Sequence, residues 1–179
     1  MESKPGTYAL ILRSDSSACA QIGCWGRLNV RPGYYNYVGS AFGPGGVFAR
    51  VSRHCRDSKS RYWHIDYLRE FATLASVWYS YAPVHLEHRW AQVLAGLDGI
   101  EAVKGFGCSD CNCDTHLIFA AREPRVATFE SRFVVRLRRA RAVATTREHR
   151  RPQPRPGWLR RTVRWLSVDL HIVRLPVGG

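Results

Sequence analysis

The chain has 179 residues, 45% apolar, 12% aromatic and 23% charged, with a formal net charge of +13. That mixture excludes collagen, coiled coil and a wholly disordered chain, and the length suits one domain with an appendage. No apolar run approaches the roughly 20 residues of a membrane span, and Thr7–Leu12 is too short for a signal-peptide core, so a soluble, cytoplasmic protein is expected.

Thr7-Tyr-Ala-Leu-Ile-Leu12 is rich in strand formers and lies between Pro5-Gly6 and the polar Arg13-Ser-Asp-Ser16. Cys24–Val30 reads as a weaker strand, Arg31-Pro-Gly33 as a turn, and Tyr34–Val38 as a third short strand. Short connections favour antiparallel pairing, because parallel neighbours need long crossovers. The Gly43-Pro-Gly-Gly46 turn releases a helix from Val47 to Cys55. On it Arg50 and His54 stand four residues apart and share a face, beside the stripe of Val47 and Val51. Ile65, Leu68, Ala72 and Ala75 predict a second helix over 65–75, and Val77–Tyr81 a strand ended by Pro83. Leu86, Trp90, Leu94 and Leu97 predict an amphipathic helix over 85–97. Glu87 lies in line with Ala91 and Leu94, where an unpaired buried charge is costly. Thr115–Ala120 is a closing strand. The order β-β-β-α-α-β-α-β gives an α+β fold, a small antiparallel sheet flanked by helices.

Charge divides the chain. Residues 1–121 hold 12 Lys and Arg against 10 Asp and Glu, whereas residues 122–179 hold 15 Arg against 4 Asp and Glu. A near-neutral domain over 1–121 is expected to precede an Arg-rich extension over 122–179, partly helical or disordered. Such a basic tail points to a polyanion. Arg125–Arg151 suits a basic helix, Pro152, Pro154 and Pro156 break the chain, and Trp158–Leu170 again carries a helical apolar stripe. A solvated extension with no partner is the alternative. The six cysteines are expected as free thiols or ligands. Cys108, Cys111, Cys113 and His116 together offer four donors with spacing that suits zinc, the alternative being incidental thiols.

Gly6-Thr7-Tyr8 and Tyr37-Val38-Gly39, followed by Arg50, His54 and Glu87 in that order, resemble the GIY-YIG nuclease superfamily. The likeness is closest to its Uri-type branch, the DUF123 family. It is carried by Tyr37–Gly46, by Tyr62-Trp-His-Ile-Asp-Tyr-Leu68, and by Gly107-Cys-Ser-Asp-Cys-Asn-Cys113 ahead of Thr115-His-Leu117. It spans roughly residues 6–121 and leaves the basic tail outside. Thr7 replaces the motif's isoleucine, and no counterpart is evident for the asparagine that some superfamily nucleases use late in the domain.

The resemblance implies a metal-dependent endonuclease that hydrolyses phosphodiester bonds in DNA, including structured or damaged DNA. The alternative is a non-catalytic nucleic-acid-binding module on the same scaffold. In the catalytic reading Glu87 holds Mg²⁺ or Mn²⁺, and Arg50 meets phosphate oxygens with its planar fork of donors. Tyr8 is the superfamily's base, although a phenol with a pKa of about 10 needs help. Tyr37 orients the water or Tyr8, His54 is the alternative proton acceptor, and His64 contacts phosphate or the water network. Arg53, Arg136, Arg138, Arg139, Arg160 and Arg161 are the candidate nucleic-acid contacts.

Overall fold

Tyr8–Leu12 carries apolar side chains on both faces, and such a run belongs at the centre of a sheet. In the computed structural model, which describes residues 1–56, 60–108, 111, 113–136 and 169–175, it is the heart of strand β1 (Thr7–Ser14). A hairpin of β2 (Ala18–Ile22) and β3 (Gly26–Val30) follows, then β4 (Gly33–Ser40), α1 (Gly46–Cys55) and α2 (His64–Leu68). Next come β5 (Thr73–Ser80), α3 (Glu87–Ala95), β6 (Ile100–Ala102) and β7 (Leu117–Ala120). A helix through 126–136, α4, and β8 (His171–Arg174) complete the described chain.

Six strands form one sheet in the order β6-β7-β4-β1-β5-β8, every pair antiparallel, and β2 and β3 form a sheet of their own. The alternation of side chains along β1 divides the interior in two. Tyr8, Leu10 and Leu12 pack with α1, α2 and the β2-β3 hairpin, whereas Ala9 and Ile11 pack with α3 and α4. The fold is α+β, an antiparallel sheet flanked by helices. No helix among the described residues is long and apolar enough to cross a membrane.

Three local departures have physical causes. The helix expected over 65–75 stops at Leu68, because Thr73 and Leu74 join β5 and pair with Arg13 and Leu12 of the central strand. Ile65, Leu68 and Ala72 are buried all the same, so their spacing fits a short helix followed by a strand equally well. The strand β2 was hidden by its composition, since Ala18, Cys19, Ala20 and Gln21 have little strand preference. It forms because Ala20 and Ile22 turn inward opposite Leu28 and Gly26. The third departure concerns the tail.

Packing continues past residue 121. Phe129 and Phe133 of α4 are 1% and 4% exposed and close over Trp78 and Trp90, with ring centroids 5.6 Å (Phe129 to Trp78) and 5.2 Å (Phe129 to Trp90) apart. They lie four residues apart, as an inward stripe requires. Further on, His171–Arg174 is a strand on β5, just past the helical stripe expected over Trp158–Leu170, of which residues 158–168 lie outside the described residues. Arg138, Arg139, Arg160 and Arg161 lie outside the described residues. Phe129→Ala is expected to cost about 3–5 kcal/mol by removing the cover of both tryptophans. Urea unfolding of the full chain, followed by tryptophan fluorescence, measures it.

Candidate active site

The site grows from the register of two neighbouring strands. Tyr8 of β1 pairs with Gly39 of β4, and Leu10 pairs with Tyr37. Tyr8 and Tyr37 are therefore diagonal neighbours on one face. Above them, α1 turns His54 inward until it is fully buried, and its Nε2 lies 3.0 Å from the Tyr8 hydroxyl. The rings of Tyr8, Tyr37 and Trp63 surround this imidazole at centroid distances of 5.6, 6.4 and 5.5 Å.

Two glycines make that contact possible. A side chain at Gly39 would place its Cβ 2.6 Å from the Tyr8 hydroxyl oxygen, so the phenol lies flat against bare backbone. At Gly6 a Cβ would fall 2.1 Å from the Ser80 carbonyl oxygen, where β5 crosses the start of β1. Thr7 between them is also specific. Its hydroxyl accepts from the Leu86 backbone N–H at 3.2 Å and so fixes the entry of α3, whose first residue is Glu87.

Asp66 lies on the far side of His54. Its carboxylate is completely buried and accepts from the backbone N–H groups of Tyr62 and Trp63, both at 3.0 Å. Arg53 donates to both of its oxygens, at 3.1 and 2.9 Å. The Oδ1 atom stands 3.9 Å from His54 Nδ1. Tyr8, His54 and Asp66 thus form a line running inward from the surface. Burial pushes the Tyr8 hydroxyl well above a phenol's usual range, Tyr37 adds to the shift, and the Arg50 cation opposes it. The phenol consequently keeps its proton and stays paired with His54.

A cleft of about 470 Å³ opens over this line, where β4 outruns its neighbour β7. It is lined by Tyr8, Tyr37, Arg50, His64 and Glu87, together with Val38–Ser40, Tyr62, Trp63, Gly107 and His116. Five of the six residues expected to carry the chemistry therefore line one cavity, with His54 directly beneath. Arg50 and Arg53 both lie over the Trp63 ring, at 4.6 and 4.0 Å, but their heads are used differently. Arg53 is committed to Asp66, while among the described residues Arg50 makes no ion pair. His64 accepts from the Gly107 N–H at 3.3 Å through Nδ1, and burial lowers its pKa. It is a neutral ring whose Nε2–H can donate to an anion.

Not every expected residue joins the cleft. Arg53 is bound inward, and Arg136 donates to the carbonyl and side-chain oxygens of Gln92 at 3.4 Å, away from the lining. Trp63 and Asp66 were within the Tyr62–Leu68 block, yet their service to Arg50 and His54 has no local sequence signal. None of the six cysteines is in a disulfide. Burial, with Cys111 adding, pushes the Cys108 thiol up to about 12, and burial pushes Cys113 up to about 11.

Gly39→Ala is expected to destabilise the chain by about 1–3 kcal/mol, because the packed Tyr8 ring has nowhere to move. Chemical denaturation measures the loss, and an imidazole NMR signal of His54 shifted from its wild-type position reports the broken contact.

Residues 7–139 match the family model described as a domain of unknown function, DUF123. No curated protein and no solved structure matches the chain.

Proposed function

We propose that this chain, which belongs to the DUF123 family, is a metal-dependent endonuclease of GIY-YIG type that hydrolyses phosphodiester bonds in DNA. The observation that carries the reading is the convergence of Tyr8, Tyr37, Arg50, His64 and Glu87 on one cleft. The two tyrosine motifs stand on adjacent antiparallel strands, Tyr8 opposite Gly39, which supports the superfamily assignment.

Hydrolysis needs a water that loses a proton, a stabilised pentacovalent phosphate and relief of charge on the leaving oxygen. Arg50 meets the second need. Its guanidinium is permanently charged, is braced on Trp63, and offers a fork that matches two phosphate oxygens. His64 adds a neutral donor beside it. Tyr8 alone is a poor base, since burial keeps its proton on. Coupled to His54 it becomes a relay: the phenol oxygen takes a proton from the water as its own passes to His54 Nε2. Asp66, near Nδ1, favours the imidazolium that results, as a buried carboxylate does for a catalytic histidine. Tyr37, diagonal to Tyr8, completes the wall against which the water is held.

Glu87 is the carboxylate in the cleft lining, and its side chain is 20% exposed. One carboxylate suits Mg²⁺, which keeps most of its waters and takes its remaining ligands from phosphate. Mn²⁺ has the same preference for oxygen. When bound, such an ion polarises the phosphate and relieves charge on the leaving oxygen. DNA as the polyanion is supported by the 15 arginines of residues 122–179, and by Tyr62, 78% exposed at the cleft and free to stack on a base.

Incubating supercoiled plasmid with the protein and Mg²⁺ is expected to give nicked and linear products. Glu87→Gln should lower the rate by about 10²-fold or more with DNA binding retained. Arg50→Lys, which keeps the charge and loses the fork, should reduce turnover more than affinity. Cleavage at the wild-type rate by Glu87→Gln would remove the metal from the proposal, and no cleavage of duplex, flap, junction or single-stranded DNA would remove the nuclease.

A further inference from the structure

A second group of donors stands at the cleft's edge, outside the reaction described above. The ligating atoms of His88, Cys111, Cys113 and His116 all lie within 4.8 Å of one another. The sequence spacing points to Cys108 as the fourth donor, and the fold supplies His88 from the first turn of α3 instead. Cys108 directs its thiol to the Phe106 carbonyl at 3.6 Å.

We propose that His88, Cys111, Cys113 and His116 bind one Zn²⁺ ion in a closed tetrahedral site. Two thiols and two imidazoles are a borderline-soft set that suits zinc and has no oxygen for Mg²⁺. Zinc–sulfur bonds of about 2.3 Å and zinc–nitrogen bonds of about 2.0–2.1 Å separate tetrahedral ligand atoms by about 3.3–3.8 Å. The widest pairs, up to 4.8 Å apart, need a modest contraction, and Cys111 Sγ and His116 Nε2, 3.2 Å apart, need only a slight opening.

The orientation of His116 is an independent sign. Its Nε2 faces Cys111, while Nδ1 lies 3.2 Å from the Val38 carbonyl oxygen. A metal-ligating histidine is held in this manner, one nitrogen on the ion and the other donating to a carbonyl. The backbone reinforces it, since His116 accepts from the Val38 N–H at 2.9 Å and donates to the Phe106 carbonyl at 2.9 Å. The His88 and His116 rings are 5.5 Å apart at 78°, which places His88 across the site. His88 Nε2 is also 3.3 Å from Glu87 Oε1, so the site adjoins the cleft wall.

The ion would have structural work. It joins α3, the strand entry at His116 and the loop carrying Cys111 and Cys113. Among its described residues this loop is anchored mainly by Phe106 and a few turn hydrogen bonds. This site is separate from the one proposed for Mg²⁺ and stands or falls without nuclease activity.

The test is the metal content of the full chain, expressed with added zinc and washed free of loose ions. About one zinc per chain is expected, falling roughly tenfold or more in Cys111→Ser, Cys113→Ser and His88→Gln and persisting in Cys108→Ser. Wild-type protein without bound zinc, or with a Cys111–Cys113 disulfide, overturns the proposal. So does loss of zinc in Cys108→Ser with retention in His88→Gln. Should the variants fail to fold, Co²⁺ added to metal-stripped wild type decides. Tetrahedral visible bands with thiolate charge-transfer absorption support the site, and a pale octahedral spectrum overturns it.

Discussion

The hydrogen bond between the Tyr8 hydroxyl and His54 Nε2 joins the middle of the sheet to the helix above it, at the buried floor of the cleft. Burial there raises the cost of leaving either polar atom unpaired, so the contact constrains much around it. Gly39 has no side chain because the phenol occupies that space. Asp66 is buried behind His54, and Arg53 balances its charge. The opening of the cleft lies directly above the bond, between β4 and Trp63. A polar line crossing an apolar interior is expensive, and at its inner end Arg53 and the Tyr62 and Trp63 N–H groups meet the Asp66 carboxylate.

The two arginines of α1 show how one local motif supports two tasks. Both lie over Trp63, and the aromatic face steadies both stems. Arg53 meets a buried carboxylate and becomes part of the fold. Arg50, three residues earlier, has its head at the cleft and remains available to an anion. The opposite face of the sheet contributes Glu87 through the N-terminus of α3, which Thr7 fixes from the residue beside Tyr8. The proposed proton relay and the proposed metal ligand are thus positioned by consecutive residues of one strand.

Much of this was legible in the sequence where periodicity was strong. The central strand, α1 and α3 follow from apolar spacing and from turn residues, whereas the pairing of the two tyrosine segments was expected only from the family resemblance. The row of Leu86, Trp90, Leu94 and Leu97 is buried as its spacing demands. Long-range pairing was not legible. The strands at Ile100–Ala102 and His171–Arg174 are short and pair with β7 and β5, while Ala18–Ile22 pairs locally with β3 and was hidden by its composition. Asp66 and His88 were missed for the same reason, because each acquires its role from a residue on another element. The two phenylalanines of α4 were obscured by the arginines around them, although their spacing of four is the mark of a packed helix.

The account's central claim is that His54, acting through Tyr8, takes the proton of the attacking water. The pH dependence of single-turnover DNA cleavage, measured for the full chain and for Tyr8→Phe, tests it most directly. The account predicts a wild-type rate that climbs with pH, as a general-base step does. In Tyr8→Phe the water has no path to His54, so the rate should fall by about 10²–10⁴-fold with the climb abolished. A Tyr8→Phe enzyme that keeps both the wild-type rate and the wild-type profile would contradict it.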